Sequence, residues 1–153
     1  AMRENQENNV IISIKGVQSG PERESETIEL VTEGRLESDG EDSFTLSYQE
    51  SEVTGMEGTL TTFQIEENRV TLMRLGEFNS QMVFERGRRH VSLYHTPYGS
   101  LSVGVNTREM SARIDQRGGD IRIAYDIEID HAVTGMNTFE ISVREAGARS
   151  ALC

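Results

Sequence analysis

The stretch that decides the fold runs from Ile121 to Ile129 and reads IRIAYDIEI. Its odd-numbered positions are all apolar or aromatic, and most of its even-numbered positions are polar. Successive side chains of a β-strand point to opposite faces, so this alternation is typical of a strand with one face buried. We therefore expect these residues to form a strand that covers a core on one side.

The same alternation recurs along the chain, for example in residues 44–48, 101–105 and 139–143. The sequence has two prolines, Pro21 and Pro97, and both lie where strands are expected to stop. The pattern predicts an all-β chain whose strands follow one another as an antiparallel meander.

Five turn signals allow a stricter test, because the two strands of a hairpin must bury matching faces. In all five cases the apolar residues meet on one face. The predicted pairs are Ile114 with Ile123 across Gly118-Gly119, Ile65 with Val70 and Thr61 with Arg74 across Glu67-Asn68, Phe84 with Val91 and Ser80 with His95 across Gly87-Arg88, Leu93 with Val103 and His95 with Leu101 across residues 97–99, and Gly34 with Phe44 across residues 38–40.

About 8–11 short strands joined by tight turns need a way to remove their sheet edges, and closure into a barrel achieves this. A two-sheet sandwich is the alternative, but it normally needs longer crossovers. We expect a single barrel domain over residues 9–145. A disordered segment is expected over residues 1–8, and a C-terminal tail over residues 146–153.

A set of short motifs lies between Tyr48 and Thr107: YQESEVTGMEGT, VTLMRLG, MVFERG and LYHTPYG. With these motifs the chain resembles the YwiB-like family of uncharacterised bacterial proteins. The resemblance implies a calycin-like barrel, related in shape to lipocalins and fatty-acid-binding proteins. It implies no activity and no site residues, and His95 stands where the family pattern leads us to expect an acidic residue or serine.

The chain is acidic, with 26 Asp and Glu against 15 Lys and Arg and a formal charge of −11. Such a chain repels nucleic acid and anionic membrane, so we expect neither as a partner. Cys153 is the only cysteine, which excludes an intrachain disulfide. No window approaches the roughly 20 apolar residues of a membrane helix, and no signal-peptide pattern is seen. We expect a cytoplasmic protein.

The predicted registers gather polar side chains at one mouth of the barrel. Arg74 shares a face with apolar residues, and an inward arginine is costly unless it is paired. The residues expected at this mouth are Arg74, Thr59, Thr61, Ser80 and His95, with Tyr48 nearby and Tyr98 at the rim.

Two interpretations of this mouth are open. In the first, Arg74 binds the carboxylate or phosphate of a small anionic or amphipathic molecule, with help from the threonine hydroxyls. In the second, Arg74 is a structural plug satisfied by loop carbonyls or by Glu57. The barrel would then be filled by its own side chains, and the protein would be a structural or regulatory protein–protein interaction module. The sequence does not decide between a monomer and a dimer.

The sequence leans against an enzyme. It has no Gly-x-Ser-x-Gly motif, and Ser80 with His95 is at most two parts of a hydrolase site. His90 and His95 are five residues apart, so they point to opposite faces of a strand and cannot share a metal ion. We therefore predict no catalytic residues, no metal and no cofactor.

Overall fold

A computed structural model of the chain contains ten β-strands. It describes residues 6–20, 25–40, 42–52, 55–76, 79–96, 99–130 and 132–146, and the side chains of Gln6, Glu7, residues 93–96 and Val133 lie outside this description. The strands are β1 (Gln6–Ser19), β2 (Glu26–Ser38), β3 (Phe44–Gln49), β4 (Thr59–Ile65), β5 (Val70–Gly76), β6 (Ser80–Phe84), β7 (Arg89–Thr96), β8 (Gly99–Asp115), β9 (Gly118–Ile129) and β10 (Ala132–Glu145).

All ten strands belong to one antiparallel sheet in the order β6-β5-β4-β3-β2-β1-β10-β9-β8-β7. Every neighbouring pair but one is consecutive in the chain; the exception is β1 with β10, which pair from Val10–Glu145 to Ser19–Met136. The sheet curls until its two end strands meet. The predicted all-β meander in a nearly closed barrel is confirmed.

The barrel is closed by the turn that follows β6. The Gly87 amide donates to the Thr107 carbonyl at 3.0 Å, and the Thr107 amide donates to the Arg88 carbonyl at 3.2 Å. The turn is thus bonded to β8, and among the described residues no ladder joins β6 to β7. Sequence neighbours β6 and β7 form a seam instead of a hairpin.

The strands that the alternation predicts have one face inside. Phe44, Leu46 and Tyr48 of β3 are buried, and the residues between them are more exposed. An aromatic cluster packs across the barrel, with ring centroids of Phe84 and Tyr125 at 4.9 Å and of Phe84 and Phe139 at 6.0 Å. Each such buried side chain contributes about 1.5–3 kcal/mol through the area removed from water.

The strands of the barrel fall into two length classes. Strands β3 to β7 span 5–8 residues, whereas β1, β2, β8, β9 and β10 span 12–17 residues. The register of β8 shifts between Thr107 and Glu109, and that of β10 between Val133 and Gly135. Such bulges bend a strand and increase its twist, which helps long strands to wrap around a core.

Of the five predicted hairpin registers, the structure confirms one, shows two displaced along the strands and contradicts two. The register across Glu67-Asn68 is confirmed, with Ile65 opposite Val70 and Thr61 opposite Arg74. The hairpins β2–β3 and β8–β9 keep the predicted faces but are displaced along the strands. Phe44 lies opposite Ser38 instead of Gly34, and Ile123 lies opposite Met110 instead of Ile114.

The displacement in β8–β9 has a clear cause. The turn is Gln116-Arg117, where the Arg117 amide donates to Asp115 Oδ1 at 2.8 Å. Gly118 and Gly119 instead begin β9 with φ of 134° and 146°, in the region that favours glycine. A Cβ on either residue would collide with a backbone carbonyl, that of Val143 or Arg113. These glycines permit close backbone approach and do not form the turn.

Two predicted hairpins are wrong. Thr96 pairs with Gly99, so the β7–β8 loop has two residues and His95 lies opposite Ser100 instead of Leu101. A slip of one residue exchanges the faces of a strand. The pairing of Phe84 with Val91 is also absent, because the turn is bonded to β8, and the Val91 side chain is 50% exposed.

Within the described residues, no helix has the length and apolar character that crossing a bilayer requires. β1 begins at Gln6 and β10 ends at Glu145. The expected terminal segments, residues 1–8 and 146–153, fall largely outside the described residues.

Candidate functional site at one barrel mouth

Four of the residues singled out in the sequence form a row across neighbouring strands. Tyr48 of β3 pairs with Thr61 of β4, Thr61 pairs with Arg74 of β5, and Arg74 pairs with Ser80 of β6. Thr59 lies two residues from Thr61 on the same face, opposite Gly76. The short strands therefore bring these side chains together at one end of the barrel.

Burial changes sharply along this row. Tyr48, Thr59 and Thr61 are buried, with the two threonines at 0% exposure. The side chain of Arg74 is 25% exposed. Arg74 is thus the charged group through which the polar layer reaches solvent.

The carboxylate beside Arg74 belongs to Glu50, a residue that the sequence reasoning missed. Glu50 Oε2 lies 3.9 Å from Arg74 Nε, and the Glu50 side chain is only 1% exposed. Glu57, the partner expected from the sequence, is exposed in the loop before β4. The alternation of Phe44, Leu46 and Tyr48 extends to position 50, and this signal could have identified Glu50.

Two hydroxyl groups hold the Glu50 carboxylate. Thr61 Oγ1 donates to Glu50 Oε2 at 2.5 Å, and the Tyr48 hydroxyl also hydrogen bonds to Glu50. The Glu50 backbone amide donates to the Thr59 carbonyl at 2.9 Å. Glu50 is therefore fixed from two strands.

Burial raises the pKa of Tyr48 well above the usual value for tyrosine, and the charge and hydrogen bond of Glu50 raise it further. The nearby Arg74 charge and the hydrogen-bonding contact with Thr61 act in the opposite direction but are weaker. The Tyr48 hydroxyl thus stays protonated and donates to Glu50.

Arg74 is incompletely satisfied. Its Nε atom is buried and has no hydrogen-bond partner among the described residues. The 3.9 Å separation from Glu50 is an ion-pair distance and is too long for a hydrogen bond. A buried donor left without an acceptor costs about 1–3 kcal/mol. The exposed quarter of the Arg74 side chain is where a further acceptor could approach it.

An apolar wall rises at the same mouth. β2 meets β3 at Ser38 and Phe44, at the opposite barrel end, so Leu30 and Ile28 lie toward the Arg74 mouth. Leu30 packs against the core, and Ile28, two residues away on the same face, is 55% exposed. Ile28 and Phe139 both pair with Gly16 and share its row. Phe139 is packed against the core, so the exposed apolar surface in this row is that of Ile28.

Two predicted site residues cannot be placed as side chains. The backbone of His95 pairs with Ser100, but its side chain lies outside the described residues, as does the whole of Tyr98. His90 is used elsewhere, with its Nε2 atom 3.0 Å from Glu85 Oε1 near the seam. Across the described part of the chain, no group of three or more His, Cys, Asp or Glu side chains could hold a metal ion.

A family model for a Domain of unknown function (DUF1934) matches residues 12–141 of the chain. The chain belongs to the DUF1934 family. The matched residues include all of β2 to β9 and the row around Arg74.

A curated relative of this DUF1934 chain is the uncharacterized beta-barrel protein YwiB of Bacillus subtilis (strain 168), which is 29% identical over 84 residues. The match covers 55% of the chain and 58% of the relative, so it spans little more than half of that protein's length. The resemblance seen in the sequence motifs is confirmed.

The crystal structure of the ywiB protein from Bacillus subtilis superimposes on the DUF1934 chain with a TM-score of 0.79. The superposition covers 92% of this chain and 93% of the other, at 23% identity. It establishes the barrel fold.

Proposed function

We propose that this chain is a non-enzymatic barrel that binds a small anionic or amphipathic molecule at the mouth around Arg74. The observation that carries the proposal is that the Arg74 side chain is 25% exposed while its Nε lies at ion-pair distance, and not at hydrogen-bond distance, from the Glu50 carboxylate. A carboxylate or phosphate is the acceptor that a guanidinium group binds best, because several N–H groups converge on it.

The neighbouring hydroxyls divide into two roles. Thr61 and Tyr48 hydrogen bond to Glu50, so they orient the carboxylate that holds Arg74 and are not the first contacts for a ligand. Ser80 is half-buried and lies beside Arg74 on the same face. Ser80 is therefore the hydroxyl best placed to assist Arg74 in binding an acidic group.

The apolar wall supports an amphipathic ligand. Gly34 stands beside Tyr48, and Leu30 lies four residues farther along β2, which is about 13 Å at the rise of a strand. An amphipathic ligand of that length could cover Leu30 with its apolar part. Binding sites in barrel mouths commonly combine such apolar lining with a few polar groups that fix orientation. The net charge of −11 supports the further proposal that neither nucleic acid nor anionic membrane is a partner.

A second candidate is the interaction module with a self-filled barrel. It is favoured by the aromatic cluster of Phe84, Tyr125 and Phe139, which packs in the core of the barrel. In this case Arg74 and Glu50 would close one end of the core, and the outer surface would bind a protein. The two candidates differ in whether a small anion stabilises the fold.

The test is the melting temperature with sodium octanoate, below its micelle-forming concentration and at constant ionic strength. A ligand present at 100 times its Kd stabilises the folded state by about 2.7 kcal/mol, which raises the melting temperature by several degrees in a domain of this size. We expect this rise in the wild type and its loss in Arg74→Met. Arg122→Met is the matched control, because Arg122 is 59% exposed and forms an outer ion pair with Glu140.

Arg74→Met removes the positive charge beside the buried Glu50 carboxylate and lowers stability. The double variant Arg74→Met/Glu50→Gln removes that penalty and is expected to fold without responding to octanoate. An equal rise in Arg74→Met and the wild type, or a wild type that responds no more to octanoate than to sodium chloride, contradicts the proposal.

A further inference from the structure

The Glu50 carboxylate lies beneath Arg74, as seen from solvent. Its side chain is 1% exposed against 25% for Arg74, and its oxygen faces Arg74 Nε at 3.9 Å. Its position is fixed by the hydroxyls of Thr61 and Tyr48. A ligand that binds Arg74 from solvent therefore brings its charge close to a fixed negative charge.

We infer that Glu50 determines the specificity of this mouth and restricts it to ligands with a single negative charge, of which carboxylates are the chief class. The inference rests on the proposed function, since it concerns the same Arg74 site. It assigns Glu50 the role of a specificity-determining residue, whose charge acts on the ligand that Arg74 binds.

The charges at the mouth explain the restriction. Arg74 and Glu50 together are neutral, so a carboxylate leaves the site with one net negative charge, and a phosphate dianion leaves two. The polar neighbours in the described row, which are Tyr48, Thr59, Thr61 and Ser80, supply no compensating positive charge. Repulsion between a ligand and Glu50 acts through a partly buried medium, in which charge–charge energies are several times larger than in water.

The variant Glu50→Gln distinguishes a role of Glu50 in specificity from a purely structural role. A glutamine at position 50 keeps an oxygen that can accept from Thr61 and Tyr48, so Glu50→Gln preserves the shape and removes the charge. A purely structural role would change stability without changing which anion binds. A specificity role changes the ratio of the two affinities.

The experiment compares octanoate with octyl phosphate, which have the same tail, by isothermal titration at pH 8. Phosphate monoesters have a second pKa near about 6, so octyl phosphate is then a dianion. We expect the wild type to prefer octanoate by about tenfold, and Glu50→Gln to shift this ratio toward octyl phosphate by about tenfold. Glu128→Gln is the matched control, because Glu128 forms an outer ion pair with Arg89 and its loss changes the net charge equally.

A measurement on the wild type alone covers the case in which Glu50→Gln does not fold. Lowering the pH from 8 to 5.5 converts most octyl phosphate to a monoanion, and its affinity relative to octanoate is expected to rise; octanoate reports any titration of the protein itself. An unchanged ratio in Glu50→Gln, or equal wild-type affinities at pH 8, overturns the inference but leaves the proposed function standing. Failure of the wild type to bind either anion overturns both.

Discussion

The Tyr48 hydroxyl links the stability of the barrel to alkaline pH. Its pKa is raised in the folded protein above the ordinary value of 10.0, chiefly by burial. Below pH 10 the phenol is protonated in the folded and unfolded states alike. Above pH 10 the unfolded chain loses this proton first, so unfolding becomes more favourable as pH rises.

We therefore expect Tyr48→Phe to weaken the loss of stability between pH 9 and pH 11. The measurement is the free energy of unfolding by urea at both pH values, in the variant and in the wild type. At pH 9 the variant should be less stable, because Glu50 loses a hydrogen bond. Parallel declines in the two proteins would show that Tyr48 does not carry this linkage.

Single residues show which parts of the site could be predicted from the sequence and which could not. Arg74 and Thr61 could be placed side by side because apolar partners on β4 and β5 specify the register of that hairpin. Glu50 was missed because a charged residue at a strand end usually faces water, although its position continues the buried alternation of β3. The hydroxyls of Thr61 and Tyr48 hydrogen bond to Glu50, so their roles could not be predicted while Glu50 was missed.

At the scale of strands, Gly34 marks the place where β2 passes close to its neighbours. A Cβ at this position would meet Ile12 Cδ1 at 2.5 Å and would also collide with the Ser47 carbonyl. Gly16 in β1 is a matched control, since a Cβ there meets nothing nearer than the Thr138 carbonyl at 3.8 Å.

We expect Gly34→Ala to lower the free energy of unfolding by about 2 kcal/mol or more, as overpacking against backbone does. Gly16→Ala is expected to change it by less than about 1 kcal/mol, because alanine loses less chain entropy on folding. Urea unfolding of both variants checks this. A Gly34→Ala variant as stable as Gly16→Ala would mean that the strands can separate at little cost.

Strand registers were predictable where packing specified them and unpredictable where turn chemistry did. The β4–β5 register is defined by two apolar pairs around a two-residue turn. In β8–β9 the glycines suggested a turn, but they are required by close backbone approach, so the apolar pairs were displaced. In β7–β8 a choice between a two-residue and a three-residue loop was enough to exchange the faces.

At the scale of the molecule, the aromatic cluster packs β6, which is an edge strand of the sheet, against the rest of the barrel. Phe84 of β6 is fully buried and contacts Tyr125 of β9 and Phe139 of β10. Because no ladder joins β6 to β7 in the described part of the chain, this packing and the bonded turn hold the seam together.

Phe84→Ala is expected to destabilise the protein by about 3–5 kcal/mol, the usual cost of removing a buried aromatic ring. Val91→Ala, across the seam at a half-exposed position, should cost less than about 1 kcal/mol. Denaturant unfolding distinguishes the two variants. Equal costs would mean that the seam is held by β7 and not by the cluster.

The global fold was predictable because alternation, turns and family motifs agreed on a closed meander. The pairing of β1 with β10 follows from closure alone, since no local signal connects them. The position of the seam was not predictable, because it depends on backbone hydrogen bonds between a turn and the β8 bulge.

The β1–β10 ladder also has a consequence for how the chain folds during synthesis. Each of the other ladders joins strands that leave the ribosome one after the other, so hairpins can form as the chain emerges. β1 must wait for a partner that is made last, and the entropy of closing so long a loop is lost in that step. Until then, one edge of β1 is unpaired and open to other chains. A chaperone that covers that edge, or translation fast enough to shorten its exposure, should therefore raise the yield of the folded barrel.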